Sequence, residues 1–457
     1  MSALTPSTHT VGEPFFMVSG SIPMNSKRMA VSNAALRALL CTKVLAIKRS
    51  CQGSKSATSP VRWVGCTLAH IAGRIAHHLS NVSAMRRAAD RGFNHRQALT
   101  EEWLRTRVLT RMSGVRFLPY QVRQMSREHL PAVLRREDRK SAARIAVDLV
   151  KVSARWRCLP FHYFRYGAYR RGVGAEAACA FLPETVLFHR LLPHVNRDAV
   201  ALDDKLSCKR ILASAGIPQP ELIASGDRRI GTTADGEAVS LTDVLDLARG
   251  SGRVVVKPAR YSSGGSGVVI VRPGDDGFDL SMYAHQWGTW LVERHVPQHH
   301  DLAMLNPCAL NTFRVITLLR EGTAYVLYMM LKLGGPGSNT DNSAVGGIQI
   351  RVHPDGRLDR YGYDRYLDAH THHQVGSVPF AGHRIARMAE VRELAARCAR
   401  LFPQTPFIGW DIALTPGGPV VIEGNSSPSL AHVQRTHGGV APELVPALRS
   451  VMSRPMI

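Results

Sequence analysis

The 457-residue chain has no run of about 18 consecutive apolar residues, so no transmembrane helix is expected. Its eight cysteines, at 41, 51, 66, 158, 179, 208, 308 and 398, include no CxxC pair. That spacing excludes a zinc ribbon or a disulfide framework and reads as reduced thiols of a cytoplasmic protein. No basic residue precedes the short apolar patch Pro14–Val18, which argues against a secretory signal. There is no HExxH, and the histidines at 295, 299, 300, 370, 372 and 373 fall in expected loops, so they are not read as metal ligands. No Gly-x-Ser-x-Gly elbow supports a hydrolase triad. Lysine is scarce, with 10 Lys against 48 Arg, so a lysine beside a motif is less apt to be casual surface charge.

What is present is a chain 45% hydrophobic and 20% charged, rich enough in apolar residues for a sizeable core. The net charge of +23 is uneven: residues 1–157 hold 27 Lys and Arg against 8 Asp and Glu, and residues 158–457 hold 31 against 27. A basic front end thus precedes a nearly neutral body. A solvated helical surface explains that front end most simply. The alternative expectation is an anionic membrane surface or acidic partner met through residues 1–157, with the protein peripheral at the membrane. Nucleic acid is disfavoured, because clustered charge supplies only the non-specific part of binding and no recognition module accompanies it.

Residues 1–60 are rich in Ser, Thr and small residues and are expected to be disordered. From Val61 to about Lys151 apolar residues recur at helical spacing among arginines. A helix is expected from Asp203 or Asp204 as cap to about Ala215, with Gly216 ending it and Pro218 and Pro220 blocking continuation. Beyond about residue 222 strands and helices alternate.

Four segments carry chemistry. Arg253–Pro258 and Val268–Val271 read as strands joined by Tyr261-Ser-Ser-Gly-Gly-Ser-Gly267. A loop of Gly and Ser lets bare backbone N–H groups approach phosphate oxygens, and Lys257 would neutralise the same phosphates. It is not a Walker A loop, since no Gly-Lys-Ser/Thr follows. Next, Phe407–Leu414 and Val420–Asn425 flank the turn Thr415-Pro-Gly-Gly-Pro419. A hairpin centred there sets Asp411 opposite Glu423, with Asn425 on the same face as Glu423. Unpaired carboxylates among apolar neighbours are costly, and a hard divalent cation such as magnesium would resolve the problem. In Leu291–Val296, Glu293 would accept from an adenine amino group while the following backbone reads the base edge; a structural glutamate is the alternative. In Leu310–Leu319, Arg314 within an apolar strand calls for an anionic partner, a phosphate or a carboxylate.

These segments in this order resemble the ATP-grasp superfamily, and more closely its sugar-transfer-associated branch, related to α-L-glutamate ligases. The matching residues are Asp203-Asp-Lys-Leu206 with Gly216-Ile-Pro-Gln-Pro220, Val254–Pro258 with Ser263–Gly267, Val292-Glu293, Asn311-Thr-Phe-Arg314, Asp341-Asn342 with Gly346-Gly347, and Gly409-Trp-Asp411 with Glu423-Gly-Asn425. The resemblance implies an α+β fold, two α+β subdomains gripping ATP, preceded by a basic, mainly helical N-terminal region. It implies a division at 1–60, 61–157, a helical lead-in 158–204, a lid subdomain 205–292, a metal and catalytic subdomain 293–435, and a tail 436–457. It also implies roles. Lys205 and Lys257 would be the nucleotide lysines. Ser263, Gly264, Gly265 and Gly267 would form the phosphate lid. Glu293, with the backbone of Arg294 to Val296, would form the adenine hinge. Arg314 would hold the γ-phosphate or an acyl-phosphate. Asn342 would lie in a loop closing over the site, and Asp411, Glu423 and Asn425 would hold Mg²⁺.

The reaction implied is ATP-dependent ligation of a carboxylate to an amine through an acyl-phosphate, on a small molecule or glycan precursor of cell-surface polysaccharide. A phosphotransferase acting on a sugar hydroxyl is the alternative enzyme. A non-catalytic nucleotide-binding protein at a membrane surface is the alternative outside catalysis. Some carboxylate ligases carry arginine two residues before the metal aspartate; here Gly409 stands there.

Overall fold

The computed structural model describes residues 129–452 apart from 261, 263, 264, 276, 338–345 and 377. The expectations for residues 1–60, for helix over 61–128, and for Ser263, Gly264, Asp341 and Asn342 lie outside the described residues.

Two antiparallel sheets organise the rest. The smaller holds β1 (Leu222–Gly226), β2 (Gly231–Thr233), β3 (Ala238–Val239), β4 (Val254–Pro258), β5 (Val269–Val271) and β6 (Trp290–Arg294), in the order β3-β2-β1-β6-β4-β5. Helices Leu241–Gly250 and Leu280–Trp287 back it. Each is started by a side chain that takes up otherwise orphaned N–H groups, Ser240 in the first and Asp279 in the second. Val244 and Ala248 from the first and Leu280 and Ala284 from the second join Val254, Val256, Trp290 and Val292 in one core.

The larger sheet holds β7 (Thr312–Arg320), β8 (Thr323–Leu333), β9 (Ile348–Val352), β10 (Leu358–Tyr363), β11 (Ala369–His370), β12 (Phe407–Thr415) and β13 (Gly418–Asn425), in the order β11-β10-β9-β8-β7-β12-β13. β7 and β8 meet in a two-residue turn in which Glu321 and Gly322 both have positive φ, 51° and 77°, the twist that suits a tight hairpin. Both faces of this sheet are covered, so its strands read as near-continuous apolar runs. Phe313, Val315, Met329 and Leu331 face Val391, Leu394 and Cys398 of the helix Met388–Arg400. Ile316, Leu318, Tyr328 and Met330 pack in a second core with Tyr163, Leu187 and Leu191 of the helical lead-in and with Val433, Leu444 and Leu448 near the C-terminus. Truncating a buried leucine such as Leu444 to alanine would cost about 2–5 kcal/mol.

The helix Lys205–Ser214 starts where the sequence indicates: Asp204 accepts from Ser207 N at 2.6 Å, and Gly216 (φ 62°) follows its end. Its Cys208 and Leu212 pack in the core of the larger sheet, not the smaller. A lid drawn at 205–292 therefore takes in a helix that belongs elsewhere, and its far boundary cuts β6 one residue before Glu293. The stretch 436–457 includes the helix Ala441–Ser450, whose Leu444 and Leu448 are buried. Among the described residues no helix is long and apolar enough to cross a membrane.

Candidate active site

The smaller sheet contributes Lys257, and the helix Lys205–Ser214 contributes two more lysines. Val255 on β4 pairs in register with Glu293 on β6, and Lys257, two residues on, shares the face. Lys257 Nζ lies 2.7 Å from one Glu293 carboxylate oxygen, and Lys209 Nζ lies 2.8 Å from the other. Lys209 stands one helical turn from Lys205, whose Nζ donates to Ser262 Oγ at 3.0 Å. Burial drives the Glu293 pKa upward, but Lys257 and Lys209 outweigh it and hold the carboxyl below its ordinary value. Burial lowers Lys205 and Lys209, each further opposed by Lys257, though Glu423 and Glu293 restore part of the charge preference. Both carboxylate oxygens of Glu293 are thus engaged by ammonium groups. Those are partners a structural glutamate that positions lysines would have, and Glu293 also lines the cleft.

The glycine-rich loop enters the same cleft. Gly265 and Gly267 have φ of 77° and 76°, in the left-handed region that favours glycine. At Gly267 a Cβ would also stand 2.7 Å from Pro258 Cγ and from the Trp287 ring, and Tyr283 Oη donates to its carbonyl at 2.5 Å. That end of the loop is fixed to the smaller sheet.

The larger sheet contributes carboxylates. Asp411 pairs in register with Glu423 on one side and with Arg314 on the other, and Gly409 pairs with Asn425. The carboxylates are opposite as expected but not by the expected register: the turn pairs Thr415 with Gly418 and Ile412 with Val421, and Ile422 is an extra residue before Asp411 meets Glu423. Asp411 also has partners within the chain. Arg314 grips it with two bonds, Nε to Oδ1 at 2.6 Å and Nη2 to Oδ2 at 3.0 Å, and Lys332 Nζ adds a third at 3.1 Å. Burial raises the Asp411 pKa, yet Arg314 and Lys332 bring it down to about 2. The chain's own cations do what a metal was expected to do for that charge. Glu423 is only partly buried, and Asn425 Nδ2 donates to Glu423 Oε1 at 3.4 Å and to Gly409 O at 3.3 Å.

These groups surround a cleft of about 150 Å³. Lys205, Lys257, Gly265, Glu293, Arg294, Val296, Asp411 and Glu423 line it, together with apolar Val255, Val268, Ile270, Leu310 and Ile422. Arg294 turns its side chain to the sheet edge, where it pairs with Glu221 at 2.7 Å, so its contribution to the lining is backbone. Arg314 reaches the cleft through Asp411 and Asn425 through Glu423. The donor set Asp411, Glu423 and Asn425 is all oxygen, the chemistry magnesium prefers, and Glu423 opens onto the cleft. The residues present fit that ion. Among the described residues no cluster of three His, Cys, Asp or Glu suggests any other metal centre.

Sequence reasoning missed Lys209 and Lys332. Both are among the ten lysines, and lysine scarcity was the signal that would have found them. It also missed the continuation beyond Lys332. Gln349, paired in register with Lys332, accepts from Arg435 Nη1 at 3.1 Å. Burial and then Arg165 lower the Arg435 pKa to about 10, while burial and then Arg435, Arg314 and Lys332 keep His432 neutral. Arg165 is itself paired with Glu184. No pattern in the sequence pointed to these residues, because the helices that carry them meet the sheet from both ends of the domain.

The sugar-transfer associated ATP-grasp family matches residues 188–448. No curated protein matches the chain. Among solved structures, D-alanyl-alanine synthetase A from Vibrio cholerae is similar at 14% identity and TM-score 0.34, over 56% of this chain and 66% of that one. D-alanine–D-alanine ligase from Bacillus anthracis, complexed with ATP, is similar at 17% identity and TM-score 0.30, over 55% and 65%. Biotin carboxylase from Campylobacter jejuni is similar at 13% identity and TM-score 0.34, over 56% and 47%. The chain thus spans less than two thirds of the length of each. Because the family match takes in both sheets, the cleft between them and more than half of the sequence, the chain belongs to the sugar-transfer associated ATP-grasp family.

Proposed function

We propose that this protein is an ATP- and Mg²⁺-dependent ligase that activates a carboxylate for attack by an amine. The observation that carries the reading is the charge balance of the cleft. Five cations, Lys205, Lys209, Lys257, Arg314 and Lys332, stand against three carboxylates, Glu293, Asp411 and Glu423. A surplus of buried positive charge beside a glycine-bearing loop suits a polyphosphate. The apolar side chains Val255, Ile270 and Ile422 suit the flat face of a purine.

In this reading Lys257 and Lys205 hold phosphate oxygens, and Glu293 keeps Lys257 and Lys209 charged and aimed. Asp411, Glu423 and Asn425 would hold magnesium, which when bound neutralises phosphate charge and makes the terminal phosphorus more open to attack. A carboxylate oxygen of the acceptor attacks the γ-phosphorus, ADP leaves, and an amine then displaces phosphate from the acyl carbon. Arg314, fixed by Asp411, is preorganised to stabilise the charge that builds up on the transferring group. Arg435, beyond Lys332, adds positive charge that suits an acidic acceptor, and a uronic acid or other glycan precursor is the substrate class we infer. Asn342 and Ser263 remain candidates for the loops that close over it.

The test is isotope transfer. With ¹⁸O in the acceptor carboxylate, a ligase delivers one label to inorganic phosphate. A screen of uronic acids and amino acids with Mg-ATP, read by mass spectrometry, supplies the acceptor. ATP consumption that yields ADP and a phosphorylated sugar, with no labelled inorganic phosphate released, would overturn the ligase reading in favour of a phosphotransferase.

A further inference from the structure

A second cavity, of about 400 Å³, shares no lining residue with the nucleotide cleft. It lies where β8 and β9 part company. Their last paired residues at this end are Met330 and Arg351, and the cavity is lined by Val326–Met329 on one side and Val352–Pro354 on the other. Arg351 projects from β9, Arg392 comes from the helix Met388–Arg400, and both line the space. Both are partly buried, and among the described residues neither guanidinium has a hydrogen-bond or ion-pair partner. A half-buried arginine usually finds an anion, because its five donors are costly to leave unsatisfied away from bulk water. Two in one cavity, both unpartnered, are a preformed demand for negative charge.

Three further features agree. Tyr328, only 8% exposed, lines the same cavity and has no hydrogen-bond partner among the described residues. The cavity reaches Gly439 and Val440 at the start of the ten-residue helix Ala441–Ser450, whose first turn has no side-chain cap. The positive end of the helix dipole favours an anion there, with one N–H fewer than usual because Pro442 stands in the first turn. The remaining titratable groups offer limited competition. His353 is paired with Asp359 at 2.7 Å. Burial, then Arg351, holds His437 down to about 4, so it is neutral at pH 7. Glu443 is exposed and pairs with neither arginine.

We propose that this cavity is a second ligand site, one that takes a small oxyanion, a phosphate- or carboxylate-bearing molecule no larger than a phosphorylated monosaccharide. Arg351 is a charge-binding residue and Tyr328 a hydroxyl donor, and Arg392 enters from the helix on the other face of the sheet as the second charge-binding residue. The site stands independently of the nucleotide reading. β8 and β9 carry both sites, since Lys332 of β8 binds Asp411 and Gln349 of β9 binds Arg435. A ligand between Tyr328 and Arg351 therefore touches the strands that shape the cleft.

The experiment is calorimetry on the full chain at fixed ionic strength. Inorganic phosphate and, separately, succinate are titrated first into the chain alone and then into the chain saturated with ADP and Mg²⁺. The expected result is saturable binding of one anion per chain that survives ADP, and loss of at least about tenfold in its affinity in an Arg351→Gln, Arg392→Gln variant whose ADP affinity and melting curve match wild type. Binding of phosphate alone assigns a phosphate ester, and binding of succinate alone assigns a carboxylate. Absence of saturable binding of either anion, or an unchanged affinity in the double variant, overturns the site. Failure of ADP to bind counts against the nucleotide reading and leaves the anion titration to decide this one.

Discussion

Glu293 on the smaller sheet and Asp411 on the larger are each buried, each flanked by two cations, and each held ionised against the cost of burial. They differ in what faces the cleft. On the smaller sheet Lys257 reaches the lining with Glu293 as its anchor, and Lys205 joins it from the helix Lys205–Ser214. On the larger sheet Asp411 and Glu423 reach the lining, and Arg314 and Lys332 stand behind as support. One wall presents positive charge and the other negative. Phosphate belongs against the first, and a hard cation between phosphate and the second. The partners also differ in kind. Two ammonium groups are point charges on rotatable stems, whereas the guanidinium of Arg314 meets Asp411 as a planar fork whose geometry is set.

The largest expected effect tests whether the two carboxylates are equivalent in stability. Glu293→Gln and Asp411→Asn each leave two buried cations without their counter-charge, and each should cost about 3–5 kcal/mol in denaturant unfolding. Acid separates them from wild type. The Asp411 pKa is about 2 in the folded chain against an ordinary 3.8. A depressed carboxyl contributes stability that is fully present above the unfolded value and is lost as pH falls through the folded one. Wild type should therefore lose stability between about pH 4 and 2, and Asp411→Asn should lose less over the same interval. Equal acid slopes would mean that Asp411 does not carry that linkage.

Next in size is Glu423→Gln. If the larger sheet supplies the metal wall, turnover should drop about a hundredfold or more, while nucleotide affinity measured without Mg²⁺ stays level or rises. Melting without metal should hold or fall slightly, since Glu423 is one of the charges that offset the burial of Lys205. Wild-type turnover in this variant would erase the distinction between the walls. Lys257→Met tests the opposite wall. It keeps the stem and removes the charge, so ATP should bind about tenfold to a hundredfold more weakly with or without Mg²⁺. Unchanged calorimetric affinity in a folded variant would remove Lys257 from the phosphate site.

The two walls were unequally legible. Counting outward from a turn centred on Gly417 sets Asp411 opposite Glu423, and the two are opposite, but only through a bulge: the turn pairs Thr415 with Gly418 and by itself would set Asp411 opposite Ile422. The partners of each carboxylate could not be reached by counting. Lys209 reaches Glu293 from a helix more than 80 positions earlier in the chain, and Lys332 reaches Asp411 across the intervening strand β7. Such pairings depend on how elements pack, and local pattern does not encode them. Composition did hold a trace. Four of only ten lysines, at 205, 209, 257 and 332, gather at this one cleft, and a fifth, Lys140, is buried against Asp148 at 2.5 Å. The fold itself was readable because apolar strands, capped helices and tight turns agreed with one another.

The smallest expected effect concerns Gly409, where some carboxylate ligases carry arginine. It lies on β12 between Ile316 and Asn425. A Cβ built there would stand 2.7 Å from Pro428 Cβ, 3.2 Å from Ile316 Cδ1 and 3.3 Å from Arg314 Cδ. Its φ is not in the left-handed region, so the reason for glycine is space alone. The stem of Arg314 passes over the bare Cα on its way to Asp411, and no arginine fits in that room. Gly409→Ala must displace the proline or the Arg314 stem. We expect a loss of about 1–3 kcal/mol in stability, typical of overpacking. If the displaced group is Arg314, the fork on Asp411 loosens, and Mg²⁺-dependent turnover falls while ATP affinity without metal stays at the wild-type value. If Pro428 moves instead, stability falls and turnover per folded molecule is preserved. Denaturant unfolding beside turnover at saturating Mg-ATP separates the two. A variant indistinguishable from wild type in both would show that the crowding at Gly409 does not constrain Arg314.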